Sequence, residues 1–158
     1  MISLAGMTPE EALALALELH GDQVDRLGEG YVDGHLARVQ AAVSSHNDSV
    51  LSIAAALHDV LEDTKTKPEK LFSKGVPLEA VRVIGIVTKR YNEHGVEGYG
   101  LFIERIIASG NRNAIVLKLA DVSDHLRPVP DGPGADVVAR RVPMYELAQR
   151  KLLEALRG

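Results

Sequence analysis

Near its centre the chain contains Ala54-Ala-Ala-Leu-His58-Asp59-Val-Leu-Glu62-Asp63-Thr64, in which an adjacent His-Asp pair precedes an adjacent Glu-Asp pair by one helical turn. In a helix, residues four apart share a face, so His58 would lie beside Glu62 and Asp59 beside Asp63. A solvated acidic helix end would explain Glu62 and Asp63 as well. The His-Asp pair, however, directly follows an apolar run, where unpaired charge is costly. We therefore interpret the pair as metal ligands, which need further ligands from elsewhere in the chain.

Composition excludes several kinds of site. The chain has 158 residues, enough for one domain with a substantial core, and no Cys, so disulfides and thiolate metal ligands are excluded. The segment Met1 to Gly6 is neither basic nor long and apolar, and no later stretch approaches the ~20 apolar residues of a membrane span. We therefore predict a cytoplasmic protein without membrane contact. The net charge of −4 disfavours nucleic-acid binding, which needs a basic surface, but permits a small phosphorylated ligand.

The residue pattern predicts a mostly helical chain. Leu and Ala are the commonest residues and only 4% of residues are aromatic, which suits a helical bundle better than a β-sandwich. Thr8-Pro9-Glu10-Glu11 is a capping-box start. The alternating Leu and Ala residues that follow could form a strand, but after this cap we assign them to a helix. Helices are predicted at about 9–19, 34–45, a segment capped by 47–49, 69–73, 77–88, 101–108, 112–126 and 142–156, with a strand as the alternative at 81–87. Residues 91–100 are predicted to be a mobile loop, and 127–139 a Pro/Gly-rich loop.

A second group of polar residues lies at the C-terminal end of the apolar helix predicted at 115–125. Asp121 and His125 are four apart and share a face there, with Asp124 alongside, although a solvated helix C-terminus would give the same pattern. His35, near the start of the second predicted helix, is the remaining plausible ligand.

In their order along the chain, these motifs resemble the HD-domain metal-dependent phosphohydrolases, and more closely the small single-domain relatives of the guanosine polyphosphate (ppGpp) 3′-pyrophosphohydrolases of the RelA/SpoT type. The resemblance runs from His20 to about Leu153. It rests on His20-x-x-Gln23-Val-Asp-Arg26-x-Gly28-x-x-Tyr31, His35, Ala55-Ala-Leu-His58-Asp59-Val-Leu-Glu62-Asp63-Thr64, Thr88-Lys89-Arg90, Phe102-Ile-Glu-Arg-Ile and Lys118-Leu-Ala-Asp121. It implies an all-α HD-domain bundle, a single domain over residues 1–158.

The resemblance also implies roles for individual residues. One divalent ion, usually Mn²⁺, would be bound by His35, His58, Asp59 and Asp121, and such mixed imidazole and carboxylate ligands also suit Fe²⁺ or Zn²⁺. Glu62 and Asp63 would lie beside the metal-bound water, and one of them would take its proton as hydroxide attacks phosphorus. The candidates for contact with substrate are Arg26, Lys118, Asp124 and His125. Lys118 could instead pair with a carboxylate, and Asp124 could support His125 or the metal.

The sequence departs from the family pattern at three places. One residue more than in the usual Tyr-x-x-His separates Tyr31 from His35, and Leu36 stands where a proline usually follows that His. We expect the loop that leads into the second helix to absorb the extra residue. His125 replaces an Asn and adds a group that titrates near pH 7. Gly30 replaces a proline, which should loosen the loop that carries Arg26.

The predicted function is hydrolysis of a nucleotide by a metal-activated water, with removal of the 3′-diphosphate of ppGpp as the first candidate reaction. Hydrolysis of another nucleotide, such as a dNTP or NADPH, would use the same chemistry, because fold and motif do not fix the substrate. A regulatory module that binds metal or nucleotide without turnover is the non-enzymatic alternative. The last predicted helix either covers the bundle or forms a homodimer contact.

Overall fold

The computed structural model of the protein describes residues 6–158. The described residues form helices, with one isolated antiparallel β-bridge between Val24 and Gly30 and no strand, so the predicted all-α class is confirmed. None of the described helices is both long and apolar enough to span a lipid bilayer. The expectation that Met1 to Gly6 carries no targeting signal concerns mainly residues 1–5, which lie outside the described range. The chain divides into two compact units between Thr88 and Lys89, which are described in turn.

The first unit is built around one buried helix. In chain order this unit contains α1 (Pro9–His20), a π-helical turn (Val32–Leu36), α2 (Ala37–Val43), a 3₁₀ turn (Ser44–His46), α3 (Ser49–Leu57), α4 (Val60–Asp63), α5 (Pro68–Ser73) and α6 (Leu78–Ile86). Every residue of α3 from Leu51 to Leu57 is buried, and the helix packs against α1, α2 and α6. The Asp48 side chain caps α3 by accepting a hydrogen bond from the Leu51 amide, as predicted. The C-terminus of this buried helix therefore presents His58 from inside the unit.

Two local predictions can be compared with the structure of the first unit. Thr8 and Glu11 form both hydrogen bonds of the capping box at the start of α1. The strand alternative at 81–87 is wrong, because these β-branched residues lie mostly in α6, where Val81, Val83 and Ile84 are buried. Burial of one helical face outweighs the β preference of those residues.

The predicted third helix is interrupted at the His-Asp pair. α3 ends at Leu57 and α4 begins at Val60, and Asp59 between them has φ −99° and ψ 0°. The amide of Asp63 still donates to the carbonyl of Asp59 at 2.9 Å, so one helical turn remains after the break. The interruption turns Asp59 out of a regular helical register.

The second unit consists of three longer helices, α7 (Gly95–Ala108), α8 (Arg112–His125) and α9 (Ala135–Arg157). Helix α8 is capped by Asn111, whose side chain accepts from the amide of Ala114, and it matches the predicted helix at 112–126. Helix α9 packs against α7 and α8. The buried side chains of α9 are Tyr145, Ala148 and Leu152.

The predicted mobile loop at 91–100 is wrong in its second half, because α7 begins at Gly95. Glycines are typical of loops, but Gly98 has a packing role in this helix. A Cβ atom on Gly98 would lie 2.5 Å from the carbonyl carbon of Glu93. Glycine is therefore required where the helix passes close to the preceding chain.

The predicted loop at 127–139 is wrong for its last five residues. Helix α9 begins at Ala135 after Gly134, which adopts φ 86°, and it contains Pro143 in its interior. The prediction extended the loop from the Pro/Gly-rich stretch at 128–134 to residue 139 and began the helix near Val142. The structure instead accommodates Pro143 inside a longer helix.

Candidate functional site

Three of the predicted metal ligands converge in the first unit. His35 comes from the π-helical turn, and His58 and Asp59 come from the break between α3 and α4. The Nε2 atoms of His35 and His58 lie 3.3 and 3.2 Å from Oδ2 of Asp59. Each residue offers a ligand atom within 4.8 Å of those of the other two. Both histidines are buried, whereas the Asp59 side chain is 17% exposed.

A hydrogen bond to the last turn of α3 sets the orientation of His58. Its Nδ1 atom lies 2.7 Å from the carbonyl oxygen of Ala55. A carbonyl can only accept, so Nδ1 carries a proton, and Nε2 faces Asp59. Metal-binding histidines are commonly fixed in this way through their second ring nitrogen.

Tyr31 orients Asp59. Its hydroxyl donates to Oδ2 of Asp59 at 2.5 Å. Its ring lies between those of His20 and His35, with centroid distances of 5.1 and 5.3 Å. In the sequence Tyr31 served only as part of a motif, and its role as a donor to Asp59 was missed. The sequence signal was its place one turn before His35.

The donor set of these three residues fits a divalent ion. Two neighbouring ligand atoms that are each ~2.1 Å from an ion and at right angles lie about 3 Å apart. The separations of 3.2 and 3.3 Å around Oδ2 of Asp59 are close to that value. Two imidazoles with a carboxylate and no thiolate suit Mn²⁺, Fe²⁺ or Zn²⁺.

Glu62 and Asp63 are exposed at the end of α4. Oδ2 of Asp63 accepts a hydrogen bond from Nε2 of Gln23 at 3.0 Å. The Oε1 atom of Gln23 in turn lies 2.9 Å from Nδ1 of His20. Two members of the His20 motif, which the sequence only matched to a family pattern, thus hold one of the predicted catalytic carboxylates. Arg26, the predicted phosphate contact, is half-buried in the loop closed by the Val24–Gly30 bridge.

The remaining predicted site residues lie on α8 in the second unit. Nζ of Lys118 lies 2.7 Å from Oδ2 of Asp121, and both side chains are buried. Lys118 therefore pairs with a carboxylate, which is the alternative role considered for it. Its ammonium group also lies 4.6 Å from the ring centroid of Phe102, a favourable position for a cation. Nε2 of His125 lies 3.4 Å from Oδ1 of Asp121.

His125 and Asp124 differ in their surroundings. The His125 ring stacks on Tyr145, with a centroid distance of 4.8 Å and an interplanar angle of 5°. Asp124 is buried, and its Oδ1 atom lies 4.0 Å from Nε of the exposed Arg127, too far for a hydrogen bond. Lys118 and His125 thus both contact Asp121, while Asp124 lies near Arg127.

A cavity in the second unit was not predicted from the sequence. It has a volume of about 300 Å³ and is lined by Lys89, His94, Tyr99, Arg141 and Tyr145, among others. Burial raises the pKa of the Tyr99 hydroxyl well above its usual range, so this group stays neutral. Two cationic side chains beside aromatic rings suit a ligand with phosphate groups and a flat base. The lining residues come from two separate segments, 89–99 and 141–145, and no sequence motif links these segments.

Glu93 anchors the chain next to this cavity. Its carboxylate accepts from Nε and Nη2 of Arg105 at 2.7 and 2.9 Å and from the amide of Arg90 at 2.7 Å. The Arg105 guanidinium holds the pKa of Glu93 below its ordinary value, against the opposing effect of burial. The segment before α7 is therefore fixed by a buried ion pair.

No family model matches the chain. A curated guanosine-3′,5′-bis(diphosphate) 3′-pyrophosphohydrolase of Aquifex aeolicus (strain VF5) is 32% identical over 123 residues, which make up 75% of this chain. The chain spans only 17% of the length of that relative. A solved structure, described as a metazoan ortholog of SpoT that hydrolyzes ppGpp and plays a role in starvation responses, matches with a TM-score of 0.67 and 26% identity over 95% of both chains. Both comparisons confirm the resemblance inferred from the sequence.

Proposed function

We propose that the protein is a metal-dependent phosphohydrolase that acts on a nucleotide, with ppGpp as its first candidate substrate. The observation that carries this proposal is the convergence of His35, His58 and Asp59, with both imidazole Nε2 atoms within 3.3 Å of one carboxylate oxygen. The similarity to a curated ppGpp pyrophosphohydrolase and to a ppGpp-hydrolysing SpoT ortholog supports the choice of substrate.

The proposed metal ligands are His35, His58, Asp59 and Asp121. The first three fit a divalent ion by their spacing, and Asp121 is added because the family resemblance implies it. Mn²⁺ is the ion we propose, with Fe²⁺ or Zn²⁺ as alternatives that the same donor atoms would accept. When bound, the ion would supply Lewis-acid activation of water and of a phosphoryl oxygen.

The chain's own residues would orient the reaction and move the proton. Tyr31 fixes the Asp59 carboxylate, and the Ala55 carbonyl fixes the His58 ring. Glu62 or Asp63 would accept the proton of the attacking water at a carboxylate oxygen, and Gln23 holds Asp63 for that task. The water oxygen forms a new bond to phosphorus while the bond between phosphorus and the 3′ oxygen of the nucleotide breaks. The 3′ oxygen takes up a proton and leaves as a hydroxyl group. Water and ppGpp thus yield GDP and diphosphate.

Nucleotide binding is proposed for the cavity of the second unit and for Arg26. Lys89 and Arg141 would pair with phosphate oxygens, and Tyr145 would offer an aromatic face beside them. His125 is stacked on that same Tyr145 ring, so a change at His125 should alter substrate choice. Asp124 remains a proposed support for His125.

The experiment is product release from a nucleotide panel that contains ppGpp, dNTPs and NADPH, each with Mn²⁺ and with EDTA. We expect Mn²⁺-dependent diphosphate release from ppGpp, which Asp59→Ala abolishes. Asp22→Ala is the matched control, because Asp22 is an exposed aspartate of the same unit. Faster turnover of another nucleotide would change the substrate and keep the chemistry. Stoichiometric Mn²⁺ binding without any product would overturn the enzymatic proposal in favour of a binding module.

A further inference from the structure

The turn that carries His35 is π-helical. The amide of Leu36 donates to the carbonyl of Tyr31 at 3.0 Å, and the amide of Ala37 donates to that of Val32. Both bonds span five residues, so this turn holds one residue more than an α-helical turn. The extra residue between Tyr31 and His35 is thus absorbed within a helical turn rather than in the preceding loop.

A buried carboxylate braces this turn from the side. The Asp25 side chain accepts hydrogen bonds from the amides of Leu27 and Glu29 at 2.9 and 3.0 Å, and from Nη2 of Arg38 at 2.9 Å. Only 2% of its side chain is exposed. Burial alone would raise the pKa of Asp25, but the bonds from Arg38 and the two amides lower it below its ordinary value. An ionised Asp25 therefore ties the loop before the π turn to α2 after it.

Gly34 lies directly against this carboxylate. A Cβ atom on Gly34 would stand 2.1 Å from Oδ2 and 3.0 Å from Cγ of Asp25, and 3.1 Å from Cβ of Glu29. The carboxylate cannot swing away without giving up its three donors. The residue before His35 must therefore lack a side chain for the turn and Asp25 to be in contact.

We propose that Asp25 and Gly34 are positioning residues for metal binding, which hold a π-helical insertion so that Nε2 of His35 faces Asp59. The inference rests on the proposed metal site but not on the identity of the substrate. Neither residue contacts the ligand atoms themselves. Their effect passes through the backbone of the π turn to the ring of His35.

The first test substitutes Gly34→Ala and measures the dissociation constant of Mn²⁺ by the EPR signal of the free ion. We expect Mn²⁺ binding to weaken about 10- to 100-fold, as is typical when the support of a metal ligand is lost. Saturating Mn²⁺ should restore much of kcat, because His35 is displaced and not removed. Gly85→Ala is the matched control, since a Cβ there has no neighbour within 4 Å. A folded Gly34→Ala protein that binds Mn²⁺ like the wild type would overturn the proposal.

Asp25→Asn serves as a second variant, because it keeps the side-chain volume if Gly34→Ala prevents folding. We expect Asp25→Asn to weaken Mn²⁺ binding at least about tenfold. Unchanged Mn²⁺ affinity in this variant would likewise count against a positioning role.

The second test deletes residues singly. Deletion of the exposed Asp33 should convert the π turn into an α turn and keep Mn²⁺ binding within about threefold of the wild type, because it removes the one extra residue. Deletion of the exposed Ala42 is the comparison, because Ala42 lies within the regular helix α2. This deletion should abolish Mn²⁺ binding, since it rotates the end of α2 and the following turn by about 100° relative to the start of the helix. Loss of Mn²⁺ binding on deletion of Asp33, in a protein with native far-UV circular dichroism, would contradict the inference.

The experiments can reject the proposed function and the positioning role independently of each other. A wild-type protein that binds Mn²⁺ but hydrolyses no nucleotide would overturn the proposed function, and the positioning role would still be decided by Mn²⁺ affinities. Conversely, a wild-type hydrolase whose Gly34→Ala variant keeps normal Mn²⁺ affinity would overturn only the positioning role. A wild-type protein that binds no divalent ion would overturn both.

Discussion

At the scale of single residues, the hydroxyl of Tyr31 can be removed without disturbing its ring. Tyr31→Phe keeps the packing between His20 and His35 but deletes the donor to Asp59. We expect Mn²⁺ affinity to fall about tenfold, because an oriented ligand becomes free to rotate. The free energy of unfolding without metal should change by only about 1 kcal/mol, the net value of one hydrogen bond.

Isothermal titration with Mn²⁺ and urea denaturation would measure these two effects. Tyr91→Phe is the control, since Tyr91 is 94% exposed. Equal Mn²⁺ affinity in Tyr31→Phe and wild type would show that Asp59 needs no hydroxyl to hold its position.

Lys118 is a buried cation beside Asp121, so its replacement should have a large effect. Lys118→Met removes the charge that neutralises Asp121 and should destabilise the metal-free protein by about 3 kcal/mol. If Asp121 is a metal ligand, added Mn²⁺ should stabilise this variant more than the wild type, because the ion replaces the missing positive charge.

Urea denaturation with and without Mn²⁺ tests this prediction. Lys151→Met is the control, because Lys151 forms a partly exposed pair with Glu104 at 3.7 Å and should contribute less than about 1 kcal/mol. Equal stabilisation of Lys118→Met and wild type by Mn²⁺ would argue against Asp121 as a ligand.

Glu93 predicts how stability depends on pH. Arg105 lowers the pKa of the Glu93 carboxyl in the folded state. As pH falls below about 4.5, the unfolded chain therefore binds a proton at Glu93 more readily than the folded protein does. The stabilisation by Glu93 is therefore complete above that pH and is lost as pH falls through the lowered pKa. Glu93→Gln should reduce stability at pH 7 and flatten the decline between about pH 5 and pH 3. Unfolding midpoints in urea across this range measure the slope, and parallel curves would contradict the prediction.

At the scale of secondary structure, two glycines of α7 should respond oppositely to alanine. Gly98→Ala places a Cβ atom 2.5 Å from the Glu93 backbone and should cost about 2 kcal/mol or more, because the helix must move. Gly100→Ala meets nothing within 4 Å and should stabilise the helix by up to about 1 kcal/mol. Thermal denaturation of the two variants gives the comparison. Similar melting temperatures would contradict the packing role of Gly98.

The helix boundaries that the sequence predicted well are those fixed by local chemistry. The capping box of α1 and the side-chain caps of α3 and α8 depend on residues within three positions of each other. The break between Leu57 and Val60 and the π turn that carries His35 depend on distant partners. Tyr31, for example, reaches Asp59 across 28 positions. No periodicity within either segment could predict those interruptions.

At the scale of the whole molecule, the sequence predicted the all-α class and the family resemblance, and both are confirmed. It also named His35, His58 and Asp59, the proposed metal ligands, which converge in the first unit. It missed the cavity lined by Lys89 and Arg141, because those residues are 52 positions apart and share no motif. The single domain, the homodimer contact, the cytoplasmic location and the absence of nucleic-acid binding stay predictions.

The two parts of α9 on either side of Pro143 should differ in how well their amides are protected from hydrogen exchange. Pro143 donates no amide hydrogen bond, and the buried side chains Tyr145, Ala148 and Leu152 all follow it. Amides at 136–142 should therefore exchange with deuterated solvent much faster than those at 146–156, because local opening of the first turns breaks few contacts. Mass spectrometry of peptides from the two halves would measure this difference. Arg141 lies in the rapidly exchanging half, so one wall of the cavity belongs to the segment that opens most readily, and a bound nucleotide should slow exchange there first.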